Sequence, residues 1–257
     1  AFYMHILHIC SDFLGTTAHI SLFTELDKLG VVQTIFVPIN ASANSNRRTM
    51  SFQTEGSSIV LSRRQHKIHK YLYGLKIARL TKDAECSINM NDIDLIHASV
   101  MCNEGAIAYE LSKKYNIPYI TAVRNTDINS YMKIFRWRMG YFKKIANNAM
   151  KIIFISSQYP QRLKEAMNIS ENETITSKFE IIHNGLQSFY LDNINKEKHG
   201  IHNPVRVVVT GAFVKNKNIH TLFDSIRILR NEGMNIELAA IGNNLATYNS
   251  EKEYADR

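Results

Sequence analysis

The chain has 257 residues, 45% of them hydrophobic, enough to build one α/β domain of about 200 residues and a fragment of another. An excess of 31 Lys+Arg over 23 Asp+Glu gives a net charge of +8, which suits phosphorylated ligands, anionic membrane surfaces or nucleic acid without choosing among them. Cys10, Cys86 and Cys102 lack the paired spacing of a zinc site or a disulfide framework and point to a reducing cytosol, and no apolar run approaches the roughly 20 residues that span a bilayer.

In chain order, short β-rich runs alternate with longer stretches whose apolar residues recur at three- and four-residue intervals. Strands are expected at residues 5–10, 31–37, 58–61, 94–97, 119–123, 152–155 and 180–182, then at 205–209 and 237–241. Helices are expected at 18–29, 65–84, 104–115, 130–147, 158–167 and 218–232. The first strand lacks the charged start and cleavage site of a signal peptide, and Ala1-Phe2-Tyr3 read as residues added ahead of Met4. The alternation predicts the α/β class: a Rossmann-like doubly wound parallel sheet over residues 4–190, a linker at 191–203, and the first β-α-β unit of a second Rossmann-like domain at 204–257. Residues 40–56, polar and poor in large side chains, read as a loop. A lone strand-helix-strand cannot bury both faces of its sheet, so the second domain is expected to be incomplete. Its tail after Gly242 is expected to be poorly ordered and its open sheet edge to favour self-association.

Open parallel sheets bind ligands in the crevice beyond the carboxyl ends of their strands. Those ends carry Ser11 and Asp12, His97 and Ser99, Arg124-Asn125-Thr126-Asp127, Ser156 and Asn184-Gly185, then Gly211 with Lys215 and Lys217. Polar groups from separate strands converging on one rim predict a ligand rich in hydroxyls and phosphates, although α/β loops are polar in any case. In the 124–127 loop a fork of donors, an amide and a carboxylate crowd into four residues, which makes Arg124 and Asp127 the candidate catalytic pair. The alternative is an Arg124–Asp127 ion pair that only holds the loop in shape.

Gly15 and Thr16 open the first helix, where free amides and the helix dipole favour an anion, and they equally fit a tight turn and an N-cap. The turn is not the GxGxxG fingerprint, which counts against a dinucleotide. Gly211, Lys215 and Lys217 bring a flexible backbone and two ammonium groups to a helix N-terminus, the makings of a phosphate site. Residues 63–71 and 132–144 interleave basic with apolar side chains, a pattern that fits anionic head groups, an anionic acceptor, or a helix packed on one face and solvated on the other. His5, His8 and His19 have no metal-ligand spacing and read as local hydrogen-bonding or surface residues.

The opening strand and Gly turn through Val37-Pro38, then Asp94-Leu95-Ile96-His97-Ala98, Ile117-Pro118-Tyr119-Ile120 with the 124–127 loop, Phe154-Ile155-Ser156, Ile182-His183-Asn184-Gly185-Leu186 and the Gly turn, helix and strand of 211–242 span nearly the whole chain. In that order they resemble the retaining, nucleotide-sugar-dependent glycosyltransferases of the GT-B fold, family 4 in particular. The resemblance implies two facing Rossmann-like domains, acceptor on the first and nucleotide sugar on the second, with transfer in the cleft between them and no metal or other cofactor. It implies that Gly15, Thr16, Gly211, Lys215 and Lys217 meet the donor diphosphate. Asp12, His97, Ser99, Asn125, Ser156, Asn184 and Gly185 would line the acceptor side or the cleft, with Asn184-Gly185 at the crossing between domains. The implied setting is polysaccharide or glycoconjugate synthesis on a glycan or lipid-linked acceptor. The cysteine usage places it in the cytoplasm, the interleaved basic and apolar segments fit peripheral association with anionic membrane, and the basic residues form no recognised nucleic-acid module.

Three departures stand against that pattern. Ala212 occupies the place where many family members have Arg, so Lys215 would supply the second positive charge, and Arg124 replaces a common His, as in a narrower branch. The family's paired-Glu signature would fall beyond Arg257, so this polypeptide is expected to transfer sugar inefficiently. A sugar-nucleotide epimerase of the same architecture and a non-catalytic glycan- or anion-binding module are the alternative readings.

Overall fold

The computed structural model describes residues 4–39, 50–66, 68, 71–171, 173–186, 188–194, 200, 202–211, 213 and 217–242. Expectations for residues 40–49, for Ala212 and Lys215, for 195–199 and 201 of the linker, and for the tail after Gly242 lie outside that set. The chain divides into two compact units, the first ending at Asp192 and the second starting at Asn193.

The first unit is a seven-stranded parallel sheet in the order β3-β2-β1-β4-β5-β6-β7. Its strands are β1 (His5–Ile9), β2 (Val32–Val37), β3 (Ser58–Leu61), β4 (Leu95–Ala98), β5 (Tyr119–Val123), β6 (Lys151–Phe154) and β7 (Phe179–Ile181). The helices are α1 (Thr17–Lys28), α2 (Tyr73–Ser87), α3 (Glu104–Tyr115), α4 (Met132–Ile134), α5 (Met139–Asn148), α6 (Tyr159–Met167) and α7 (Ser188–Asp192). Strand order reverses between β1 and β4, which places the crevice for a ligand beyond their carboxyl ends.

Both sheet faces carry apolar cores, because strands buried on two sides read as continuous hydrophobic runs. Phe36 joins the larger core with Leu7, Ile9, Ile96 and Phe154, while its neighbours Ile35 and Val37 join the smaller one with Phe13 and Phe23. Alternation along a strand therefore sets the two cores on opposite faces. Helix α1 buries His19, Phe23 and Asp27, a four-residue repeat that turns one stripe inward. Helix α3 approaches β5 closely because Gly105 has no side chain there: a Cβ would stand 3.0 Å from Thr121 Oγ1 and 3.3 Å from Ile145 Cγ2.

Two helices differ from expectation. The one expected at 65–84 begins at Tyr73. Upstream, the chain is held extended along β2, with Ser62 N–H donating to Val37 O at 3.0 Å and Gln65 N–H to Ile39 O at 3.0 Å. Asp83, on α2, accepts from the Arg63 backbone and guanidinium and fixes the same stretch. The helix expected at 130–147 is broken into a π-turn at Asp127–Tyr131, α4, a 3-10 turn at Arg136–Arg138, and α5. Phe135 leaves the helical region (φ −109°, ψ 46°) and stacks its ring 5.3 Å from Tyr73 and 6.2 Å from Tyr131. Aromatic packing here overrides helix propensity.

The second unit contains β8 (Val205–Thr210), α8 (Ile219–Asn231) and β9 (Ile236–Ile241), with β8 and β9 paired in parallel. Gly211 takes φ +153° after β8, and its N–H donates to Ile241 O at 3.0 Å. Gly242 lies against the Gly211 carbonyl so closely that no Cβ fits between them. Among the described residues, no helix is long and apolar enough to cross a membrane.

Candidate functional site

In the first unit, the residues beyond the strand ends converge on Arg124. The guanidinium donates from Nε to Ser99 O at 3.3 Å, after β4, and from Nη1 to Asn184 Oδ1 at 3.3 Å, after β7. Half-buried, Arg124 has its pKa lowered by desolvation and raised by Cys10, Asp127, Asp12 and Glu104 around it. Asp12, exposed at the end of β1, has its carboxyl pushed up by partial burial and pulled down by Arg124. One cation thus joins loops from three strands by hydrogen bonds, with the Asp12 carboxylate after a fourth near enough to feel its charge.

Asp127 has a different place from the one expected of it. It is fully buried, and its two oxygens accept from the backbone N–H groups of Cys102 at 2.7 Å, Arg124 at 2.8 Å and Met101 at 3.3 Å. Asp127 N–H in turn donates to Arg124 O at 3.0 Å, so two hydrogen bonds between these residues close the turn. Burial raises its carboxyl to about 6 against the amides that oppose the shift. A buried carboxylate with both oxygens on backbone amides does not reach a ligand, so Asp127 positions Arg124 and the β4–α3 loop. The carboxylate meets the Arg124 backbone N–H, a different bond from the side-chain ion pair that the sequence suggests.

The remaining residues divide between rim and scaffold. Thr16 is the N-cap of α1, its Oγ1 accepting from Ala18 N–H at 3.3 Å. Gly15 sits so close to Asp12 that a Cβ would lie 2.5 Å from Asp12 Oδ1. Asn125 is exposed and accepts at Oδ1 from Asn129 Nδ2. Ser156 lies at the end of β6, with its carbonyl receiving Tyr159 N–H at 3.2 Å. Gly185 has open space around it, and next to Asn184, His183 contacts Ile155 O through Nδ1 at 2.9 Å.

His97 is nearly buried and meets His8 across the β1–β4 register, Nδ1 to Nδ1 at 2.9 Å. His19, on α1, stacks on Phe23, whose ring also meets His8 at 4.4 Å. Burial, with His19 and Arg124 nearby, holds His97 at about 4 instead of 6.5, and burial with Arg124 holds His19 at about 4. Burial and His97 likewise lower His8. These three histidines are neutral at pH 7, and with Arg124, Asn184 and Gly185 they line a groove of about 770 Å³ between α1 and the sheet. Among the described residues, no group of three or more His, Cys, Asp or Glu is placed to hold a metal ion.

Sequence reasoning missed Glu104. It is buried at the first turn of α3, where the helix dipole favours a carboxylate. Oε1 accepts from Ser11 N–H at 3.2 Å and from the Ser11 hydroxyl, which binds the β1 end to the β4 end, while burial raises its carboxyl. Among the described residues, Oε2 and Asn103 Oδ1 are buried polar atoms without a hydrogen-bond partner, while the Ser99 side chain interacts with the buried Cys10 thiol. An acid opening a helix whose other residues are largely apolar was the available signal.

In the second unit, Gly211 follows β8 and Lys217 is exposed just before α8, whose N-cap Asn218 takes φ 52°. Lys215 lies outside the described residues.

With this geometry in place, known proteins narrow the fold. Anabaena HepE, solved with UDP and glucose, superposes on 99% of the chain with TM-score 0.61 at 14% identity. An Escherichia coli trehalose-6-phosphate structure bound with UDP-2-fluoro glucose superposes on 98% with TM-score 0.64 at 8% identity. The chain has a GT-B-like glycosyltransferase fold. It spans 65% of the Anabaena chain and 68% of the E. coli chain. An uncharacterized glycosyltransferase of Methanocaldococcus jannaschii is 28% identical over 140 residues, covering 54% of this chain and 35% of that protein. No protein-family model matches.

Proposed function

We propose that this chain belongs to a retaining glycosyltransferase of family 4 that moves a sugar from a nucleotide sugar to a glycan or lipid-linked acceptor in cytoplasmic glycoconjugate synthesis. The observation that carries the reading is Arg124, a single guanidinium held at the strand-order reversal by Ser99 O and Asn184 Oδ1, with its backbone clamped by Asp127. A fixed fork of donors at that point suits an anionic or hydroxyl-rich ligand. The archaeal relative's name and the UDP and UDP-sugar bound in the structural neighbours support the same class.

In this reading Arg124 contacts the donor or acceptor and Asp127 positions it. Asp12, Ser99, Asn125, Ser156, Asn184 and Gly185 face the acceptor, and His97 lines the wall as a neutral imidazole. Gly15 and Thr16 are assigned to the donor diphosphate, as are Gly211, Lys215 and Lys217 of the second unit. Cleaving the bond between sugar and diphosphate leaves negative charge on the diphosphate, and a preplaced cation stabilises that charge as it develops. Lys217 takes that role, and no metal is invoked. The test is release of nucleoside diphosphate from nucleotide sugars by the chain joined to a complete second domain. Arg124→Ala and Lys217→Ala are each expected to slow release by about a hundredfold or more; rates unchanged in both would overturn the assignment.

A further inference from the structure

We infer that the groove between α1 and the sheet binds a single-chain anionic amphiphile, with its hydrocarbon tail on the sheet and its head group at Arg124. The open sheet face behind this groove follows from strand order. The connections from β3 to β4, β4 to β5, β5 to β6 and β6 to β7 all step the same way along the sheet, so right-handed crossovers put their helices on one face. Helices α2, α3, α5 and α6 accordingly pack into the larger core, whereas the connection from β1 to β2 steps the other way and α1 packs into the smaller one. On β5 and β6, Val123 and Phe154 belong to the larger core. Alternation therefore turns Ile120, Ala122, Ile153 and the following Ile155 to the opposite face, where they floor the groove beside α1.

Size and chemistry name the ligand. A groove of about 770 Å³ has the room of a pocket for one small molecule. Its floor is aliphatic, and Leu22 of α1 and Leu186 edge it at 43% and 68% exposure, apolar surface that water does not favour. The imidazoles of His8, His19 and His97 are held neutral by burial and bring no charge beneath a tail. Of the charged residues in the lining, Glu25 and Lys28 pair with each other at 2.7 Å. Arg124, at the strand ends, bonds the neutral oxygens of Ser99 and Asn184 and makes no ion pair among the described residues. A half-buried guanidinium at one end of an apolar floor is complementary to a carboxylate or phosphate that carries a hydrocarbon chain. Arg124 also serves the proposed transfer, but amphiphile binding is measured without nucleotide sugar, so either reading can fail alone.

The experiment titrates the full chain in a calorimeter with dodecanoate, dodecyl phosphate, acetate and dodecyltrimethylammonium, each below its micelle concentration. The expected result is saturable binding of a single dodecanoate or dodecyl phosphate per chain, with acetate and the cationic amphiphile silent; the tighter of the two anions tells a carboxylate head from a phosphate head. Arg124→Gln is expected to weaken binding about tenfold. Leu22→Asp and Leu186→Asp, both at solvent-facing positions, are each expected to weaken it by about tenfold or more while circular dichroism shows the fold intact. No binding, equal binding of the cationic amphiphile, or affinity unchanged in both Arg124→Gln and Leu22→Asp would overturn the inference. So would a doubled mass in light scattering that Leu22→Asp restores to that of one chain, which would assign the groove to a second copy. Binding that disappears when the chain is joined to a complete second domain would overturn it too, by assigning the groove to the rest of a longer protein.

Discussion

With both carboxylate oxygens taken up by backbone amides, Asp127 fixes where the Arg124 backbone sits, and Ser99 O and Asn184 fix where its guanidinium points. The sequence shows the density of polar groups in this loop but gives no direction to any of them. The inward turn of Asp127 comes from the π-turn that begins there, which no local residue pattern announces. Replacing Asp127 by Asn removes acceptor capacity from a site of backbone donors and is expected to destabilise the fold by about 1–3 kcal/mol at neutral pH, measured by urea unfolding. The pH response has a definite sign. Asp127 titrates near 6 when folded against 3.8 ordinarily, so the stabilisation from its bound proton is full below about 4 and gone above about 6. His19 and His97, held near 4 against 6.5, work oppositely: their contribution is full above about 6.5 and lost as pH falls toward 4. Unfolding midpoints of Asp127→Asn should therefore rise more steeply between about pH 4 and pH 6.5 than those of the wild type; an equal or shallower slope would contradict the assignment.

Among the elements, those with a strong period were legible and those shaped by contacts between distant residues were not. Strand β5 and helix α3 follow from an apolar run and a clean three- and four-residue repeat, and they stand where the pattern puts them. The late start of α2 depends on Asp83 reaching back to Arg63, and the break after α4 depends on Phe135 finding Tyr73. Both partners lie far away in sequence, so periodicity cannot see them. In the second unit, Gly242 packs against the Gly211 carbonyl at the ends of β9 and β8. Gly242→Ala is expected to cost about 1–3 kcal/mol through forced backbone displacement, seen as faster hydrogen exchange of β8 and β9 amides with β1 and β4 unchanged. Equal protection in the variant would show that the close approach is not needed.

At the scale of the whole molecule, the doubly wound parallel sheet was legible because strands alternate with helices that return the chain in one direction, whereas the order β3-β2-β1-β4-β5-β6-β7 came from the structure. The chemistry at the rim was only partly recoverable: Arg124, Asn184, Asp12 and Ser99 come together as their positions after the strands suggest, whereas Glu104 joins them through a bond to Ser11 across 93 residues of sequence. Calorimetric titration with UDP-, GDP- and ADP-sugars, of this chain and of the chain joined to a complete second domain, tests the central claim most directly. The account predicts saturable binding of one nucleotide-sugar class by the extended protein, lost in Lys217→Ala and weakened in Arg124→Ala. Silence from both proteins across the whole panel would contradict it.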